Sequence, residues 1–226
     1  MSAPRLSTDA AAVALRGGAV LLLATDTVCG LHARADRAGP LAAISALKGR
    51  APDQPLLVLA ASAAQAAALC GPLSVTQLAV CEQAWPGPFT FLVPARADLE
   101  PAVVDARRRT VAVRVPGRAD LRRLIELVGA PLASTSANRT GEPPLTDLAA
   151  AVAAFGDGVA GWWPGEAEPG GAGPGEAGPG EAGPGEAGPG APPVPSALVD
   201  LTGPSPRILR PGPQPLPLPE GGPAVS

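Results

Sequence analysis

Short apolar runs alternate with helix-forming stretches over the first two thirds of the chain, and that alternation leaves few folds open. "GAVLLLAT" (18–25) is apolar at successive positions, as a strand buried on both faces must be. "PLLVLA" (55–60) is a second run of this kind, and "FTFLVP" (89–94), "TVAVRVP" (110–116) and "PLAS" (131–134) read as further strands. In "TVAVRVP" a period of two puts Val111, Val113 and Val115 on one face. Helices are predicted between these runs. The first covers 8–17, with Ser7 or Thr8 as N-cap and Gly17 as its stop; the second covers 40–48, with Pro40 at its first position. Others cover 63–70, 75–84, 120–129 (ended by Gly129) and 147–156. The pattern predicts an α/β domain on a single twisted sheet. The short link between 89–94 and 110–116 implies a mixed sheet, not a wholly parallel one.

After Gly161 the character changes. "GPGEA" occurs at 173–177, 178–182 and 183–187, followed by "GPGAP". A period of five is not the Gly-every-third pattern of collagen, and this composition supports no packed core, so a flexible or semi-extended linker is expected. Strand-like patterns resume in "SALVDLTG" (196–203) and "PRILRPG" (206–212). The expected organisation is one domain over residues 1–212, interrupted by a Gly/Pro/Glu/Ala-rich insertion at about 165–193, with a Pro-rich tail over 213–226. Trp162 and Trp163, beside the insertion, suit either a core plug or a binding surface.

Charge narrows the function classes. Residues 1–160 hold 15 basic and 13 acidic residues, a balance of +2, and residues 161–226 hold 2 and 7, a balance of −5. Neither is the strong basic footprint of a dedicated nucleic-acid binder, and Arg107, Arg108 and Arg109 read as a solvated loop. Cys29, Cys70 and Cys81 have no metal-ligand spacing, and His32 is the only histidine, which argues against a zinc site, a disulfide framework and a histidine dyad. With no leader pattern and no apolar run of about 18 residues, a cytoplasmic protein without membrane association is expected.

The polar residues gather at the ends of the predicted strands, in "ATDTVCGLH" (24–32), "LKGRAPDQPL" (47–56), "TVAVRVP" and "STSANRTG" (134–141). No phosphate-binding glycine loop or nucleophile elbow is present. What remains is a set of cations, Lys48, Arg50, Arg114 and Arg210, beside small donors, Thr25, Thr27, Ser134, Ser136 and Asn138. That inventory suits the neutralising and positioning of anions in phosphoryl or nucleotidyl transfer. Each residue also has a plain structural reading. Lys48 and Arg50 could complement a helix C-terminus, for about 0.3–1 kcal/mol. "STSAN" could be an ordinary turn, and "WPGPFT" (85–90) a rigid turn over a packed Trp85. Arg114, interrupting a valine-rich strand, needs a partner.

Taken in order, "TDTVCGL", "LKGR…QPL", "WPGPFT", "VAVRVP", "STSANRTG" and "PSALVD…RILRPG" resemble the YrdC-type threonylcarbamoyl-adenylate synthases, over roughly 8–160 and 194–212. The resemblance implies a twisted open α/β sheet with a concave substrate cavity. It also implies synthesis of threonylcarbamoyl-AMP and pyrophosphate from ATP, L-threonine and bicarbonate, for threonylcarbamoyladenosine (t6A) at tRNA position 37. Lys48, Arg50, Ser136 and Asn138 match the family's catalytic signature. Arg50, Gln54, Thr110, Ser136 and Arg210 would meet ATP, and Thr27, Arg114, Ser134 and Ser196 would meet threonine. Mg2+ is expected with the triphosphate, without dedicated protein ligands, and the downstream tRNA threonylcarbamoyl-transferase complex is the implied partner. The chain departs from the family pattern at Ala24 (usually Pro), Cys29 (usually Tyr), Pro144 (often Ser) and Ala197 (usually Thr). A non-catalytic RNA-binding protein of the same fold, acting in RNA or ribosome maturation with weak RNA affinity, is the alternative.

Overall fold

A computed structural model of the chain describes residues 3–51, 54–142, 145, 147–166 and 194–218. Ten strands form one mixed sheet: β1 (Leu21–Leu23), β2 (Gly30–Arg34), β3 (Leu57–Leu59), β4 (Phe89–Pro94), β5 (Val104–Asp105), β6 (Thr110–Arg114), β7 (Leu132–Ser136), β8 (Gly161–Trp163), β9 (Ala197–Asp200) and β10 (Arg207–Arg210). Their order is β10-β9-β4-β6-β3-β7-β2-β1-β8, with β5 pairing to β6 off this path. The pairs β1/β8, β3/β6 and β4/β9 are parallel. The link between β4 and β6 makes them antiparallel neighbours, as its length predicts.

The helices are α1 (Thr8–Arg16), α2 (Ala38–Lys48), α3 (Ala63–Ala67), α4 (Val75–Ala84), α5 (Ala119–Val128) and α6 (Leu148–Phe155). Ser7 caps α1 by accepting from the Ala10 N–H. Helix α2 begins two residues before Pro40, whose missing N–H costs nothing in a first turn. Helix α4 carries a full capping box, Ser74 with Gln77.

The expectation for 134–138 needs correction. The strand read over 131–134 runs on through Thr135 and Ser136, which are not in a turn, because β7 pairs with β2 from Gly30↔Ser136 to Arg34↔Leu132. Strand β2, absent from the sequence reading, lies between β1 and β7. β8 was absent too; it carries Trp163 into the core at 1% exposure, which decides between the two readings of that residue.

Alternation divides the sheet into two faces. Leu22, Leu31, Val58, Phe91, Val93, Val111, Val113 and Ala133 point to one, packed by Leu41 and Ile44 of α2, Ala66 of α3, Val80 of α4 and Phe155 of α6. On the other, Leu21, Leu23, Leu59 and Leu132 are packed by Ala11, Ala12 and Leu15 of α1 and by Leu121, Leu124, Ile125 and Val128 of α5. This second face also carries His32, Ser134, Thr110 and Arg114, a polar tract beside the apolar one. After the repeat, β9 and β10 complete the same sheet, and Leu216 and Leu218 pack against the first cluster.

Candidate active site

Two groups of cations lie beside the sheet, one at the end of β7 and one around Arg114 on the second face. The first comes from the end of α2. Gly49 takes up a left-handed conformation (φ 60°, ψ 37°), its N–H returning to Ala46 O and the Arg50 N–H to Ser45 O. This reversal, which favours glycine, turns the chain so that Lys48 and Arg50 both meet the end of β7. Lys48 is 5% exposed, and its Nζ donates to Ser136 O at 2.6 Å and Asn138 Oδ1 at 2.9 Å. It therefore holds β7 and the following loop, and does not merely complement its own helix. Ser136 Oγ donates to the same Asn138 Oδ1 at 2.5 Å, while Asn138 Nδ2 donates to Arg139 O and Glu142 O. Burial, then the neighbouring Arg50, brings the Lys48 ammonium down to about 8.

Arg50 donates to Pro55 O at 2.8 Å and Thr135 Oγ1 at 3.3 Å, and its buried Nε has no partner. Extending the β3/β7 register by two residues sets Ser136 opposite Pro55, whereas Thr110 of β6 is paired with Asp105 of β5 on one side and Pro94 of β4 on the other. Thr110 is buried and its Oγ1 is likewise unpartnered. Gln54 is exposed in the loop before β3.

The second group centres on Arg114, 2% exposed. Its Nε donates to Gly87 O at 3.1 Å and its Nη1 to Thr27 Oγ1 at 2.8 Å. Nη2 lies 2.6 Å from Asp26 Oδ2 as an ion pair, so the buried guanidinium has a carboxylate partner. Burial draws the guanidinium below its ordinary value, Asp26 opposes that, and Arg210 adds to it. Arg210 is thus close to Arg114, and it donates through Nε and Nη2 to Ser196 O. Ser196 Oγ shares a hydrogen bond of 2.8 Å with Thr90 Oγ1.

The β1–β2 loop joins the groups. Strands β2, β7 and β3 separate β1 from β6, a span of roughly 19 Å at ~4.8 Å per strand. Thr27 and Asp26 nevertheless reach Arg114, and Asp26 Oδ2 accepts from the Gly117 N–H at 2.8 Å. The loop therefore arches over the second face, with Ser134 beneath it. Gly30 ends the arch where a Cβ would come within 2.5 Å of Thr135 O, so no larger residue fits without displacing β7.

The structure thus gathers Lys48, Arg50, Ser136 and Asn138 at one end, while Thr110 stands at the start of β6 between β4 and β5. Thr27, Arg114, Ser196 and Arg210 gather at the other, and Ser134 lies on β7 between. Asp26, Thr135 and Gly87 escaped the sequence reading. Asp26 sits inside the quoted "TDTV", but only the fold brings it to Arg114. "WPGPFT" does pack Trp85, its ring 5.1 Å from that of Phe91, and also supplies Gly87 O to Arg114, so it is more than a structural turn. Two departures lie away from the site. Cys29 is buried on the first face with Sγ toward Leu145 O and Asp147 O, its thiol pushed up to about 11 by burial, and Ala197 is buried in the same cluster. Pro144 lies outside the described residues.

A family model for the Sua5/YciO/YrdC domain, described as "Telomere recombination", matches residues 13–172. The chain belongs to the Sua5/YciO/YrdC family. It is 39% identical over 149 residues to a threonylcarbamoyl-AMP synthase of Chromohalobacter salexigens, covering 66% of this chain and 80% of that protein. It is 38% identical over 145 residues to one of Chromobacterium violaceum, covering 64% and 75%. Among solved structures, P. abyssi Sua5 complexed with L-threonine superposes with a TM-score of 0.75 at 29% identity, over 93% of this chain and 57% of that one. E. coli YciO, at 17% identity and a TM-score of 0.73 over 91% and 88%, shares the fold. This chain thus spans a little over half of the Sua5 structure and most of the bacterial relatives. Among the described residues, no helix is long and apolar enough to cross a membrane.

Proposed function

We propose that the chain is a threonylcarbamoyl-AMP synthase, a nucleotidyltransferase that joins ATP, L-threonine and bicarbonate. The observation that carries this reading is the pair of cation groups, Lys48 with Arg50 at the end of β7 and Arg114 with Arg210 beside Thr27, with the buried Arg50 Nε left without a partner. The threonine amine condenses with bicarbonate to give a carbamate and water. A carbamate oxygen then attacks the α-phosphorus of ATP, forming a C–O–P anhydride while the bond to the β-phosphate breaks and pyrophosphate leaves.

Both reactants at that step are anions, so fixed cations lower the barrier. Lys48, Arg50, Ser136 and Asn138 hold the phosphates and the attacking carbamate, with Gln54, Thr110 and Arg210 completing the nucleotide site. Arg114 grips the threonine carboxylate through its planar fork, and Thr27, Ser134 and Ser196 surround the amino acid. Mg2+ bound with the triphosphate would supply neutralisation of its oxygens. Asp26 is engaged with Arg114 and Gly117, so the triphosphate oxygens would supply the ligands of the ion.

The bacterial relatives named threonylcarbamoyl-AMP synthase favour synthesis over non-catalytic RNA binding. The labile product is passed to the tRNA threonylcarbamoyl-transferase complex in the cytoplasm, for t6A at position 37. Residues 165–193 are an insertion within one domain, a reading supported by β8 before the repeat and β9 after it joining one sheet.

The test is pyrophosphate release by the purified chain with ATP, threonine and bicarbonate, each omitted in turn. Release that requires all three supports the reading. Release from ATP alone, or none from a folded protein, overturns it.

A further inference from the structure

His32 has no place in the chemistry above, yet it lies beside Ser134, which the reading above sets around the amino acid. It is wholly buried on β2, directly opposite Ser134 of β7. Its Nδ1 lies 2.9 Å from Gly30 O, and its Nε2 lies 3.0 Å from Ser134 Oγ. A carbonyl oxygen only accepts, so Nδ1 must carry the proton of this contact. In a neutral ring Nε2 is then a bare acceptor, and the Ser134 hydroxyl must donate to it. A hydroxyl has one proton. With that proton committed to Nε2, only the lone pairs of Ser134 Oγ remain for the cavity.

We propose that His32 is a positioning residue that fixes the direction of the Ser134 hydroxyl, so that Ser134 accepts a hydrogen bond from a donor on the bound amino acid and rejects an acceptor. The division of labour follows from chemistry. Arg114 offers only donors and suits the carboxylate; Ser134, turned by His32, offers only an acceptor and suits the α-ammonium or the side-chain hydroxyl. A free serine hydroxyl would rotate to suit either. The locked one adds specificity, because a ligand presenting an oxygen acceptor there leaves two sets of lone pairs facing each other. Full burial holds the ring well below its usual value, at about 4, so the imidazole stays neutral and the lock stays set at neutral pH.

The inference rests on the threonine reading of the site. The chain contains a single histidine, so labelling with [15N]histidine gives one pair of ring-nitrogen resonances without ambiguity. The expected spectrum at neutral pH has a protonated Nδ1 and an unprotonated, pyridine-like Nε2. The Nε2 resonance shifts when L-threonine is added, and this shift is lost in Ser134→Ala. His32→Leu is expected to raise the threonine Kd, measured by calorimetry, about tenfold while the ATP Kd changes less than twofold. His32→Gln, whose amide oxygen can accept from Ser134, is expected to recover most of the affinity. The double variant with Ser134→Ala should bind threonine no worse than Ser134→Ala alone. Repeating the titrations with 2-aminobutyrate, which lacks the hydroxyl, identifies the donor: a penalty from His32→Leu for threonine alone means the hydroxyl, an equal penalty for both means the ammonium. A protonated Nε2, or unchanged threonine affinity in a folded His32→Leu, overturns the inference. Wild-type protein that binds no threonine overturns the threonine reading itself, a distinct result.

Discussion

Replacing Lys48 by Met separates a catalytic cation from a structural strut, because the two roles predict different energies. The substitution removes two hydrogen bonds from a charged donor, to Ser136 O and Asn138 Oδ1, each worth about 1.5–3 kcal/mol in favourable cases. Both acceptors keep a partner: Ser136 O accepts from the Asn138 N–H at 3.0 Å, and Asn138 Oδ1 from Ser136 Oγ. The substitution also removes a buried charge. The fall of the ammonium from 10.5 to about 8 corresponds to at most about 3 kcal/mol held against the folded state, roughly 2 after solvent screening. The hydrogen bonds lost, about 3–6 kcal/mol together, exceed the roughly 2 kcal/mol of relieved burial, so Lys48→Met should be about 1–4 kcal/mol less stable than wild type at neutral pH. Catalysis by the folded fraction should fall about 100–1,000-fold in kcat/KM for ATP, as when one electrostatic donor is removed from a transition state. The pH dependence supplies a second readout. A lysine depressed in the folded state binds fewer protons there than in the unfolded chain between about 8 and 10.5, so the stability of the wild type rises across that window. Activity runs the other way. The alkaline limb of kcat/KM falls near pH 8 as Lys48 loses its charge, and Lys48→Arg should move that limb upward, at reduced rate. Denaturant unfolding and pyrophosphate release over pH 6–10 measure both. A Lys48→Met protein whose activity is lost only in proportion to the unfolded fraction would refute the argument.

Arg114→Lys keeps the charge but loses the fork onto Gly87 O and Thr27 Oγ1; the threonine KM should rise about 100-fold, roughly 2.7 kcal/mol, with the ATP KM little changed. Steady-state titration of each substrate checks it. Cys29→Ala should cost about 1 kcal/mol in thermal unfolding and leave both KM values unaltered, because its thiol faces the carbonyls before α6 on the opposite face from Arg114. Deleting residues 173–190 shortens a connection whose closure entropy changes by only ~0.6 kcal/mol per halving of length, so cooperative unfolding should persist with a midpoint within a few degrees. A broad, non-cooperative transition would mean that the repeat contributes to the fold.

What could be read from the sequence, and what could not, divides along the range of the forces involved. Helices α4 and α5 were legible because their signals are local: the Ser74–Gln77 capping box and the Gly129 stop act within a turn. Strands β4 and β6 announced themselves by length and by the alternation of Val111 and Val113. Strand β2 did not, since "GLHAR" offers a glycine, a histidine and an arginine; it is a strand because β1 and β7 on either side satisfy its backbone, which no local pattern encodes. The same non-local pairing overrode the turn preference of Thr135 and Ser136. It fixed the alternation of β7 as well, directing Ser134 and Ser136 to the face that carries Arg114 and Thr135 to the face of Leu31. Residue types singled out the cations and small donors, each with a plain structural reading beside it, and only the family resemblance drew them, with Gln54, Thr110 and Ser196, into one candidate site. They could not identify Asp26 as the partner of Arg114, since three strands intervene between β1 and β6. Nor could they separate Lys48 as a helix-end cation from Lys48 as the clamp on β7. That distinction rests on Gly49: without its left-handed turn Lys48 and Arg50 would not both meet the end of β7.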